Sequence, residues 1–101
     1  MPLQVVLSEA AEKDLRNLFN MIREHDRAAC EHFIQRVEHA VARLAHFPRS
    51  GAIPRDPEVK ALGYRFAVVD PYLVFYSHSA SILKIIRILH GHRYYGPVLY
   101  S

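Results

Sequence analysis

The chain has a single cysteine, Cys30, among its 101 residues, so no internal disulfide can form and a reducing compartment is the expected home. It has no apolar run approaching the roughly 20 residues that a membrane-spanning helix needs. The N-terminal stretch MPLQVVLSEAAEKD lacks a basic segment leading into an apolar one, so no signal peptide is expected. The protein therefore reads as cytoplasmic, with no membrane partner. Neither a Gly-x-Ser-x-Gly elbow nor a glycine-rich phosphate loop occurs, which removes two common enzyme classes. Internal repeats, low-complexity tracts and linkers are missing too, and residues 1–101 are read as one domain.

What is present is the composition of a folded domain: 50% hydrophobic and 23% charged. A chain of this length buries about 65% of the surface its unfolded state exposes, enough for a modest core without staples. Thirteen Lys and Arg against ten Asp and Glu leave a net charge of +3 and a pI near 9.2. That excess favours an acidic partner, nucleic acid or protein, without choosing between them.

LQVVL is short and β-branched and predicts a strand over about residues 3–7. Ser8 is placed to cap a helix whose first turn carries Glu9 and Glu12. Ala11, Leu15, Leu18, Phe19 and Ile22 recur at helical spacing. Asp26 offers a second cap, beyond which Cys30, Phe33, Ile34, Val37, Val41 and Leu44 repeat the pattern until Pro48. The break between the two stripes permits only a tight turn, hence an antiparallel helical hairpin. FPRSGAIPRDPEV, with three prolines and a glycine, reads as an irregular connection. YRFAVV, YLVFYS and ILKIIRIL then predict three strands in an antiparallel meander. The fold class expected is α+β, in the order β-α-α-β-β-β, with the helical hairpin packed on one face of an antiparallel sheet. Strict alternation puts Arg87 on the same side as Leu83, Ile85 and Leu89, and leaves both sheet faces substantially apolar.

Three chemistries compete for the cluster HGHRYY after the last strand. His90 and His92 are spaced to share one side of a strand, but no third ligand stands at a recognised distance, so neither a metal nor a cofactor is expected. His39 and His46 read as solvated helix residues, and Cys30 as a small core hydrophobe. A metal-free ribonuclease needs a base, an acid and cations for the phosphorane charge. Arg65, Arg87, His92 and Arg93, with His90, Tyr94 and Tyr95 near them, supply those residue types. Alternatively the arginines merely extend from strands and the tyrosines cover the sheet.

GYRFAVVDPYLVFY followed by ILKIIRILHGHRYYGPVL, with FPRSG closing the helical hairpin, resembles the RelE/ParE superfamily of bacterial toxins from type II toxin–antitoxin systems. The resemblance runs the length of the chain and is most specific at RILHGHR. It implies a small toxin held silent by a co-expressed antitoxin, expected to be a ribbon-helix-helix protein of the ParD kind, whose C-terminal arm wraps the toxin. Operator DNA would be contacted only through that antitoxin.

The branch is decided by particular residues. RelE-like ribosome-dependent endoribonucleases carry an arginine just after the aromatic that opens the second late strand. Here Tyr72 matches the aromatic and Leu73 follows it. Arg93 matches a second arginine of that branch. YLVFY with ILHGHR looks like the ParE branch, which poisons DNA gyrase by binding, although Tyr94 stands where ParE-like tails continue with an acidic residue. The expectation is a ParE-like gyrase inhibitor that grips its target through His92, Arg93, Tyr94 and Tyr95. The antitoxin arm is expected on Arg65, Leu73 and Phe75, since an acidic amphipathic segment suits an apolar surface with a basic excess. The alternatives are a RelE-like messenger-RNA endoribonuclease and a non-toxic module that only binds antitoxin.

Overall fold

The computed structural model describes residues 1–91 and 95–100, Tyr100 by its backbone alone. The elements are β1 (Gln4–Leu7), α1 (Glu9–His25), α2 (Arg27–His46), α3 (Pro57–Ala61), β2 (Arg65–Val69), β3 (Tyr72–His78), β4 (Ile82–His90) and α4 (Gly96–Tyr100). The expected α+β order is present, with two short helices, α3 and α4, added to it.

Both long helices start where the sequence puts a cap. The Ser8 hydroxyl accepts from the Ala11 N–H at 3.0 Å and donates to the Ile86 carbonyl at 2.7 Å, so one side chain opens α1 and ties it to β4. Asp26 alone joins the helices: its N–H closes α1 on the Ile22 carbonyl, and its carboxylate accepts from the Ala29 N–H to open α2. Asp56 caps α3 ahead of Pro57, and Gly63 takes the positive φ of 81° that ends this turn.

The strands lie in the order β1-β4-β3-β2. β2, β3 and β4 form the expected antiparallel meander, while β1 pairs parallel with β4 from Gln4↔Ile82 to Leu7↔Ile85. The register of β3 on β4 shifts once: Phe75 faces Arg87 but Tyr76 faces Ile85, leaving Ile86 as an extra residue. This bulge corrects the side assignment made from alternation. Leu83 and Ile85 lie on the helix face with Ile88, whereas Leu89 and Ile86 belong with Phe75 on the other face. One extra residue reverses the phase of every side chain beyond it.

Each face has its own apolar cluster. The hairpin supplies Ala11, Phe33, Val37 and Leu44 against Val74, Tyr76, Leu83 and Ile85. The opposite face gathers Val59 of α3, Phe75, Leu89 and Leu99 of α4, with Leu73 and Tyr95 packed at the margin. The short terminal helix thus covers the face that the long helices leave open. Cys30 is buried, 2% exposed, as a core residue.

Candidate functional site

Arg65 lies on β2 beside the corner that joins α2 to the sheet. Its Nη1 donates to the carbonyls of Arg49 (3.4 Å) and Gly51 (3.2 Å). In the paired position on β3, the fully buried Tyr76 donates its hydroxyl proton to the Pro48 carbonyl (2.6 Å) and accepts from the Gly51 N–H (3.0 Å). The FPRSG corner is therefore clasped from two strands. Burial pushes the Tyr76 hydroxyl above its ordinary pKa, against smaller downward effects from the Gly51 hydrogen bond and the Arg65 charge. Gly51 is required here, because a Cβ would lie 2.7 Å from the Tyr76 Cε1 and closer still to its hydroxyl.

Arg87 is held differently. Its Nε donates to Asp14 Oδ2 at 2.7 Å and its Nη2 to Oδ1 at 2.9 Å, a bidentate pair between β4 and α1. The same Oδ2 accepts from the backbone N–H of Ile88 at 3.0 Å. β1 stops pairing with β4 at Ile85, and Asp14 takes over where that strand ends. The hydrogen bonds to Asp14 raise the Arg87 pKa further above its already high value. Arg65 and Arg87, both candidates for a ribonuclease, stand on strands separated by β3 and are committed to separate structural partners.

On the far face, Leu73 is half-buried and Phe75 is not exposed at all. The Phe75 ring packs on Tyr95 (centroids 4.8 Å apart) and on Phe66 (5.6 Å). This corrects the expectation of Phe75 as a surface contact: α4 and Tyr95 cover it. Tyr95, expected in the target-binding set, turns toward the core, and the Gly96–Pro97 pair opens α4. His90 is exposed, its ring edge-on to Tyr72 at 5.6 Å. His92, Arg93 and Tyr94, the remainder of the expected target-binding set, lie outside the described residues. Among the described residues, no three of His, Cys, Asp or Glu converge to hold a metal ion.

One feature escaped the sequence reading. His32, Arg36, His39 and Arg43 succeed one another every three or four residues and line a groove of about 680 Å³ between α2 and β2. The signal was present as a helical repeat of basic residues, but beside the apolar stripe it read as solvated surface.

The family model for the ParE toxin of the type II toxin–antitoxin system parDE matches residues 5–95. The chain belongs to that family. No curated protein matches it in sequence. Among solved structures, a chain of the chromosomal ParDE toxin–antitoxin system from P. aeruginosa superposes on this ParE-family chain with a TM-score of 0.69 at 15% identity, covering 87% of this chain and 95% of that one. A chain of the toxin–antitoxin complex RelBE2 from Mycobacterium tuberculosis gives 0.63 at 22% identity, covering 89% and 99%. At such identities these two comparisons establish the shared fold, and with the family match they place the chain in the RelE/ParE superfamily. No helix among the described residues of this ParE-family chain is long and apolar enough to cross a membrane.

Proposed function

We propose that this chain acts as one toxin domain, residues 1–101, which arrests growth in the cytoplasm by binding DNA gyrase. A cognate ribbon-helix-helix antitoxin neutralises it and alone contacts operator DNA. The observation that carries the choice of target is Leu73. It occupies the place just after Tyr72 where the RNase branch carries an arginine, and it packs in the apolar cluster with Phe75 and Tyr95. Losing one charge-stabilising group from such chemistry costs about 10²–10³-fold in rate. The commitment of Arg87 to Asp14 and of Arg65 to loop carbonyls supports the same reading. His92, Arg93 and Tyr94 make the target contact, and Tyr95, packed against Phe75, anchors that segment to the sheet.

The test is induction of the chain alone in cells. DNA synthesis should fail and the DNA-damage response should rise before protein synthesis falls, and co-expression of the antitoxin should prevent both. A first collapse of translation with messenger cleavage points to the RNase branch, and unaffected growth to an antitoxin-binding module.

A further inference from the structure

The sheet ends in β1, whose outer edge faces away from the rest of the strands. The N–H groups of Gln4 and Ser8 donate to the carbonyls of Ser81 (3.0 Å) and Ile85 (2.9 Å). By the two-residue strand repeat, Gln4, Val6 and Ser8 bond toward β4, and the backbone groups of Val5 and Leu7 point outward. The Leu3 N–H is already taken, by the Ala45 carbonyl at 2.9 Å. Val5 and Val6 are 37% and 38% exposed, and QVVL carries neither a charge nor a proline to keep another strand away. Beside this edge the outer flank of α1 forms a shallow cleft of about 390 Å³, lined by Leu7, Glu12, Leu15, Arg16, Phe19 and Asn20. A largely apolar surface thus carries one acid and one base, one helical turn apart and both exposed.

We infer that β1 and this cleft form a self-complementary face on which a second copy of the chain docks about a twofold axis, joining the two four-stranded sheets edge to edge. The axis passes by Val5. Antiparallel pairing of Val5 with the second copy's Val5 exchanges two N–H···O bonds, and the Leu7 N–H of each copy reaches the Leu3 carbonyl of the other. The occupied Leu3 N–H is left undisturbed. On the helix face Leu3 and Leu7 already pack with the hairpin core. Val5 is the side chain of this row left to meet its twin, between the two α1 clefts. A twofold contact requires that one patch match itself, and charge selects the occupant. The axis reverses α1 against its mate and sets Glu12 of each copy toward Arg16 of the other. A polyanion or an acidic arm would meet Glu12 and a basic one Arg16, whereas a reversed copy satisfies both. β1 has only four residues, so strand pairing makes a small contact and the cleft supplies the rest. That places the dimer at the weak end of specific interfaces, with a Kd on the order of micromolar. The inference stands apart from the toxin reading, since it uses neither the HGHRYY segment nor β2 at the opposite edge.

Sedimentation equilibrium of the full chain over about 1–300 µM should pass from 11.7 kDa toward twice that mass, and amide exchange at Val5 should slow as the dimer fills. Val5→Pro removes an outward N–H without breaking a bond to β4 and should raise the Kd about tenfold or more. Glu12→Arg and Arg16→Glu, both at exposed positions, should each weaken self-association by setting like charges across the axis. Mixed in equal amounts, these two variants should recover a dimer within about threefold of the wild-type affinity, because each then meets its opposite. That recovery separates a lost contact from poor folding. A chain that stays monomeric throughout, a dimer indifferent to Val5→Pro, or charge variants that fail to recover on mixing overturns the inference. So does a monomer whose Val5 amide slows only when a peptide alternating threonine with valine is added, which assigns the edge to a different strand.

Discussion

Asp14 and Arg87 form a two-point contact between α1 and β4, and the same carboxylate takes the N–H of Ile88 where β1 no longer pairs. The pair is largely enclosed, with side-chain exposures of 23% for Arg87 and 13% for Asp14. It fixes the start of the helical hairpin to the strand that leads into the HGHRYY segment.

Asp14→Ala leaves a guanidinium and a backbone N–H without their acceptor, and should cost about 2–3 kcal/mol. For a domain of this size that lowers the melting temperature by about 10 °C or more. Arg87→Met, which removes the charge with its partner's need only partly met, should cost less than Asp14→Ala. Equal melting temperatures for wild type and Asp14→Ala would show the pair to be incidental.

Tyr76→Phe strips the FPRSG corner of a donor and an acceptor and should cost about 1–3 kcal/mol at neutral pH. Because burial raises the folded-state pKa of Tyr76 above its unfolded value, its contribution is complete below about pH 10 and fades as pH rises through the folded value. Urea midpoints from pH 8 to 11 should therefore bring wild type and Tyr76→Phe closer together at the alkaline end. A gap that stays constant contradicts the assignment.

Gly51→Ala forces a methyl into the Tyr76 ring and should destabilise by about 1–3 kcal/mol through overpacking. A matching Gly63→Ala change meets no neighbour but must adopt a positive φ, so its cost of about 1 kcal/mol comes from the backbone. Thermal melts of the two variants should rank Gly51→Ala lower.

Tyr95→Ala uncovers Phe75, whose burial is worth about 1.5–3 kcal/mol, and should lower stability. Arg93→Ala and Tyr94→Ala should instead leave the melting temperature within a few degrees and abolish growth inhibition. Truncation from His92 onward removes α4 with the proposed target-binding segment, so the point variants separate the two effects. Full toxicity in Arg93→Ala and Tyr94→Ala would move the target surface elsewhere.

Much of this architecture was legible in the residues. Ser8 and Asp26 announced both long helices, and the switch from helical spacing to β-branched runs announced the meander. The bulge at Ile86 was not legible, because ILKIIRIL is apolar on both sides and offers no polar alternation from which a slip in phase would show. That slip puts Ile88 on the helix face and Leu89 with Phe75, the reverse of what strict alternation gives. The parallel pairing of β1 with β4 was hidden for a different reason: a four-residue strand records no partner. Asp56-Pro57-Glu58 did carry a helix-start signal for α3, masked by the prolines around it. α4 spans five residues, too short for periodicity to reveal. It closes the far face over Phe75.

The most direct measurement is a plasmid supercoiling and cleavage assay with purified DNA gyrase and increasing amounts of the full chain, run beside a translating extract. The account predicts loss of supercoiling or accumulation of gyrase–DNA cleavage complexes, relieved by the antitoxin, while ribosome-bound messages stay intact. Normal supercoiling at every concentration, together with codon-periodic cleavage of translated messages, would contradict it.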